Sequence, residues 1–150
     1  MLIVEEADPR APGPRALLEA SHALMQATFP PEENYFLDID ALCAPDVVCF
    51  AARDGDTTLG TGALALKDSY AEVKSMFTAP KARGKGVAAA ILRALEDTAR
   101  ARNIAMLRLE TGDPLKSAVR LYERAGFTRC AIFGDYAPNI SSVYMEKPLT

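Results

Sequence analysis

The chain has 150 residues, 49% of them hydrophobic and 25% charged, with a net charge of −3 at neutral pH. That length suits one domain, residues 1–150, with its own hydrophobic core. The acidic balance argues against nucleic-acid partners and against binding to anionic lipid, since both need a basic surface. Three cysteines without CxxC spacing are expected to be reduced and buried, and with the single histidine, His22, no metal site is expected.

Leu2–Ala7 reads as a first strand, interrupted by Pro9, Pro12, Gly13 and Pro14. Arg15–Thr28 has helical spacing, with Leu17, Leu18, Leu24 and Met25 as its apolar stripe. Pro30-Pro31 stops it, and Asn34–Cys43 reads as a second short helix or structured loop. Asp46–Arg53 and Thr58–Leu66 form a hairpin around Asp54-Gly55, and Tyr70–Ala79 is a third strand ended by Pro80. Gly86–Asn103 is the clearest helix, with Val87, Ile91, Leu92, Leu95 and Ala99 on one face. Glu96 and Arg100 are expected as an i,i+4 pair on its wet side. Ile104–Glu110 is a strand, Leu115–Ala125 a helix, and Phe127–Phe133 and Ser141–Lys147 are the last two strands, with Gly126 as a helix stop. This order, β-α-α-β-β-β-α-β-α-β-β, implies an α/β (α+β) domain. Its sheet is mixed and mostly antiparallel, of about seven strands, with helices on both faces.

One loop carries chemistry. Gly84 and Gly86 lie between a strand and the start of a long helix, where unpaired N–H groups and the helix dipole favour an anion. Arg83 and Lys85 add positive charge. A phosphate or pyrophosphate is the natural guest. The Walker pattern GxxxxGK[ST] is absent. Gly84–Ala89 fits a dinucleotide GxGxxG/A pattern, with Glu110 as the ribose contact, but Pro80–Arg83 separate the strand from the first glycine. The motif also falls too late in the chain for a six-stranded dinucleotide fold.

Arg83-Gly84-Lys85-Gly86-Val87-Ala88 resembles the Q/R-x-x-G-x-G/A acetyl-CoA signature of the GNAT family of N-acetyltransferases. Leu121-Tyr122-Glu123-Arg124-Ala125-Gly126-Phe127 resembles that family's second signature, LYEKxGF. The resemblance spans nearly the whole chain, weakest over Pro9–Cys43. Glu72–Met76, Leu109–Gly112, Phe133–Tyr136 and Ser142–Lys147 look like a subgroup of small bacterial acetyltransferases. The resemblance implies a GNAT-like fold, acetyl-CoA as cosubstrate, and direct attack of a primary amine on its thioester. It places the pyrophosphate on Arg83, Gly84, Lys85, Gly86, Val87, Ala88 and Ala89. It places the carbonyl-polarising N–H within Met76, Phe77 and Thr78, on a strand that splays from its neighbour.

An alkyl ammonium must lose a proton before it attacks, and Glu72, on the strand leading to the loop, is the expected base. Lys74 shares its face and would keep it ionised or bind an acidic group of the acceptor. Tyr122 resembles the family's general acid for the leaving thiolate. Leu115 stands where many family members carry Asn, so Ser117 is the expected substitute contact to the cofactor. Tyr35, Asp38, Asp135 and Tyr136, in the segments that set specificity in the family, are expected to receive a small-molecule or peptide amine. A non-catalytic acyl-CoA sensor of the same fold is the alternative, and a homodimer is compatible with either. The acidic N-terminus and the lack of a long apolar run predict a cytoplasmic protein without membrane partners.

Overall fold

Alternation along the central strands decides the layers. In β3 (Thr57–Leu66), Ala63 and Leu64 point to opposite faces, and each is fully buried. Ala63 packs with Leu18 of α1 (Pro12–Thr28) and Leu42 of α2 (Ile39–Leu42). Leu64 belongs to the larger core, shared with Ile91, Leu92 and Leu95 of α3 (Val87–Ala101) and Tyr122 of α4 (Lys116–Arg124). Helices therefore cover both faces, as expected. Each large apolar side chain buried from α3 contributes roughly 1.5–3 kcal/mol. Gly62 lets that helix approach closely, because a Cβ there would lie 2.5 Å from Ile91 Cγ2.

The computed structural model describes residues 1–149. The remaining strands are β1 (Leu2–Glu6), β2 (Val47–Asp54), β4 (Ala71–Thr78), β5 (Met106–Gly112), β6 (Thr128–Arg129) and β7 (Ser142–Pro148). The seven strands form one sheet in the order β1-β2-β3-β4-β5-β7-β6. Among the described residues only β4 and β5 pair in parallel, across the α3 crossover.

Two features of β4 open the sheet at its centre. Its pairing with β5 covers only Ala71↔Leu107, Glu72↔Arg108 and Val73↔Leu109, although both strands continue. On its other side the register with β3 moves from Ala63↔Lys74 to Thr61↔Phe77. β4 thus carries one surplus residue there. Ser75 sits in this bulge at φ 56°, a left-handed backbone. The bulge bends β4 away from β5, and the gap between them is the opening of the site.

Some elements differ from the sequence reading. Helix α1 begins at Pro12, not after the prolines, because proline in a first turn lacks only an N–H that would have no partner anyway. Its Leu24 faces solvent, while Leu18 and Ser21 are buried. The expected strand Phe127–Phe133 shrinks to Thr128–Arg129. The chain beyond folds back so that Phe133 and Tyr136 pack edge-on with Tyr70 and Tyr144. Glu96, expected in water, is buried. Lys147 Nζ reaches it at 2.7 Å and Arg100 at 3.4 Å. Cys49 is buried as expected and its thiol is pushed up to about 11 by that burial, but Cys43 and Cys130 are only half-buried.

Candidate active site

The glycine loop is built as its sequence requires. After a single 3-10 turn, Pro80–Ala82, Gly84 and Gly86 adopt φ 77° and 80°, conformations a side chain would strain. Nothing lies within 4 Å of a Cβ placed on either glycine. The first backbone bond of α3 runs from Ala90 N–H to Gly86 C=O. The N–H groups of Val87, Ala88 and Ala89 are thus left without intrahelical partners. No acidic residue occupies this first turn, and Arg83 and Lys85 are exposed beside it. The Val87 side chain itself is buried and anchors the helix start over Gly60. Together these form an open anion cradle at a helix N-terminus.

Upstream, β4 carries Met76, Phe77 and Thr78. Phe77 and Thr78 pair with Thr61 and Gly60 of β3, and all three lie beyond the last residue paired with β5. Of the three, Met76 lines a cavity of about 120 Å³ in the gap between β4 and β5, together with Val73, Lys74 and Ser75. Tyr122 of α4 lines it, as do Glu110 of β5, His22 of α1, and Phe29, Glu33 and Asn34 from the loop after α1.

Glu110 is the carboxylate that reaches this cavity from the sheet. Its Oε2 accepts a hydrogen bond from Ser142 Oγ at 2.7 Å. Burial raises its carboxyl above the ordinary range, the direction a general base needs to gain proton affinity. Tyr122 is buried among Phe127 and the apolar core yet lines the same cavity. Burial raises its phenol, so it holds its proton at any working pH.

Glu72 does not stand where an accessible base must. It is 5% exposed and does not line the cavity. Its Oε2 accepts the Tyr136 hydroxyl proton and lies 3.5 Å from Lys74 Nζ. Lys74 Nζ also donates to Tyr136 Oη at 2.9 Å and to the Tyr35 carbonyl at 3.0 Å. All three of its protons are engaged, which leaves none for an acidic group of an acceptor. Burial, then the neighbouring Glu72 charge, raises the Tyr136 phenol, which stays protonated. Tyr35 and Tyr136 pack edge-on at 4.9 Å. The cluster Glu72–Lys74–Tyr136–Tyr35 therefore ties two loops, one after α1 and one before β7, to β4.

The other expected contacts lie elsewhere. Asp38 caps α2, accepting from Ala41 N–H at 2.8 Å. Asp135 is exposed and off the cavity. Ser117 is exposed on the outer side of α4 and accepts weakly from Arg120 at 3.4 Å, whereas Leu115 and Ala118 line the cavity. Sequence reasoning missed Glu110 as a site residue, although alternation along β5 puts it on the Glu72 face, one step past the last paired position. It also missed His22 and Asn34, for which the sequence carries no signal.

Comparison with known proteins bears on the family and the fold. The profile of the acetyltransferase (GNAT) family matches residues 15–127. An IAA acetyltransferase of Azospirillum brasilense is 38% identical over 135 residues, 89% of this chain and 88% of that protein. A Klebsiella pneumoniae structure described as a candidate acyl-CoA N-acyltransferase superposes with a TM-score of 0.83 at 32% identity, covering 100% and 99% of the two chains. An aminoglycoside 6′-N-acetyltransferase solved with coenzyme A shares the fold, with a TM-score of 0.73 at 16% identity over 99% and 97%.

Proposed function

Because this chain belongs to the acetyltransferase (GNAT) family and is an N-acetyltransferase, we propose that residues 1–150 act as one catalytic domain moving acetyl from acetyl-CoA directly to a primary amine. The observation that carries this reading is the gap between β4 and β5, with the anion cradle beside it and Glu110 and Tyr122 facing one cavity. The cradle of Arg83, Gly84, Lys85, Gly86 and the N–H groups of Val87, Ala88 and Ala89 suits the cosubstrate's pyrophosphate. Free N–H groups on the unpaired edge of Met76–Thr78 suit the thioester oxygen as it gains charge.

Glu110 takes the proton from the acceptor ammonium. The amine nitrogen then bonds to the acetyl carbon, the carbon–sulfur bond breaks, and the CoA thiolate leaves with a proton from Tyr122; the second proton of the former amine, lost from the new amide nitrogen, restores the Tyr122 phenol through solvent. A thiolate formed in the same dry surroundings is itself more basic than in water, so the raised phenol remains a usable donor. Glu72 and Lys74 act as positioning residues through Tyr136 and Tyr35. Among the described residues no helix is long and apolar enough to cross a membrane, which suits the proposed cytoplasmic setting.

The test is thiol release with acetyl-CoA and an amine panel, comparing the native chain with Tyr122→Phe. The variant should keep its acetyl-CoA affinity and lose turnover by about 10-fold or more. Unchanged turnover under conditions where chemistry is rate-limiting removes Tyr122 from the mechanism.

A further inference from the structure

The acceptor cavity has a one-sided hydrogen-bonding inventory. Three buried side-chain atoms of its lining residues lack any partner among the described residues: His22 Nε2, Asn34 Oδ1 and Ser75 Oγ. Such atoms are costly unless something pairs with them.

One of the three can only accept, and a second can accept. Asn34 gives both amide protons to the carbonyls of Phe29 and Pro30, each at 3.3 Å, which fixes its oxygen as the free end. His22 is stacked on Phe36 at 4.3 Å. Burial lowers its affinity for a proton, so the ring is neutral. With Nδ1 carrying the ring proton, Nε2 presents a lone pair. The charged groups lean the same way. Glu110 and Glu33 are acceptors, each already given one proton, by Ser142 and Ser141 respectively. The one cationic side chain lining the cavity, Lys74, has all its protons engaged. Only the hydroxyls of Ser21, Ser75, Thr111 and Tyr122 remain as side-chain donors.

From this inventory we infer that the acceptor is a cation carrying several N–H or O–H donors and no carboxylate, such as a di- or polyamine or an amino sugar. The inference rests on the acetyltransferase reading and narrows its acceptor. One ammonium is deprotonated at Glu110 and reacts. Further donors satisfy Glu33, His22 Nε2 and Asn34 Oδ1. A carboxylate in the same place meets acceptors and two like charges, with no free cation to pair with.

The matched pair for the test is 1,5-diaminopentane and lysine, which differ by one carboxylate, with glucosamine as the hydroxyl-rich arm. Binding of each to the full chain loaded with a non-reactive acetyl-CoA analogue is measured by calorimetry, and turnover with acetyl-CoA by thiol release. The diamine or glucosamine should bind at least about 10-fold more tightly than lysine, the worth of one charged hydrogen bond. The stronger of the two identifies the source class. His22→Phe, which keeps the stack on Phe36, and Glu33→Gln should each erase most of that preference. Lysine binding as well as the diamine, no binding by any of the three, or a preference unmoved in both variants overturns the inference. Selective binding without turnover leaves it standing and refutes acetyl transfer instead.

Discussion

Replacing Gly86 by Ala separates the loop's backbone geometry from everything else the loop does. Gly86 sits at φ 80° and ψ 11°, and a Cβ there meets nothing within 4 Å. In the free protein the cost is therefore the left-handed backbone alone, about 1–2 kcal/mol. For a chain of this length that lowers Tm by about 2–8 °C. Acetyl-CoA at 100 times its Kd should stabilise the native chain by about 2.7 kcal/mol. In the variant the new methyl intrudes on the space where a phosphate must approach the N–H groups. If affinity falls 100-fold, the same concentration yields only about 0.4 kcal/mol. Gly55→Ala is the matched control. Gly55 also has positive φ, 59°, and open space, but it lies in the β2–β3 turn. Both variants should lose similar stability, and only Gly86→Ala should lose the rise with acetyl-CoA in a thermal melt. A full rise in Gly86→Ala refutes the cradle.

Glu110→Gln should lower turnover about 100-fold or more at pH 8 while leaving acetyl-CoA affinity intact. In the native chain kcat/KM should decline as pH falls through a value above the ordinary carboxylate range, since burial raises Glu110. Stability runs the other way: the folded state binds this proton more tightly than the unfolded one, so the group's contribution grows as pH falls through that window. A profile unchanged in Glu110→Gln removes Glu110 as base. Lys147→Met strips the closest partner from the buried Glu96 and should cost about 3 kcal/mol by chemical denaturation. Adding Glu96→Leu should recover most of it, and a double variant no more stable than the single one refutes the charge argument.

Much of the architecture is legible in the sequence because its signals are local. The stripe from Val87 to Ala99 and the Asp54-Gly55 turn announce α3 and the first hairpin, and both are present in the fold. The glycine loop is legible for the same reason, since its φ angles depend on two residues. What depends on distant partners is not. Glu96 is buried because Lys147, 51 residues on, reaches it. The strand expected after Gly126 gives way because Phe133 and Tyr136 find aromatic partners on β4's approach and β7. The place of Glu72 on β4 suggests a base, but Tyr136, 64 residues on, seals it. The Ser75 bulge has no sequence mark, because serine at positive φ obeys no composition rule.

That bulge places an edge in the middle of a sheet. Unpaired strand edges usually lie at a sheet's margin, where they invite other chains and risk aggregation. Here the surplus residue creates one between β4 and β5, screened by α4 and the loops around the cavity. The backbone groups of Met76–Thr78 keep their capacity to bond a ligand while staying out of reach of a second protein strand. A β4 one residue shorter could pair with both neighbours to its end. The sheet would be more regular, and the proposed thioester site would be lost.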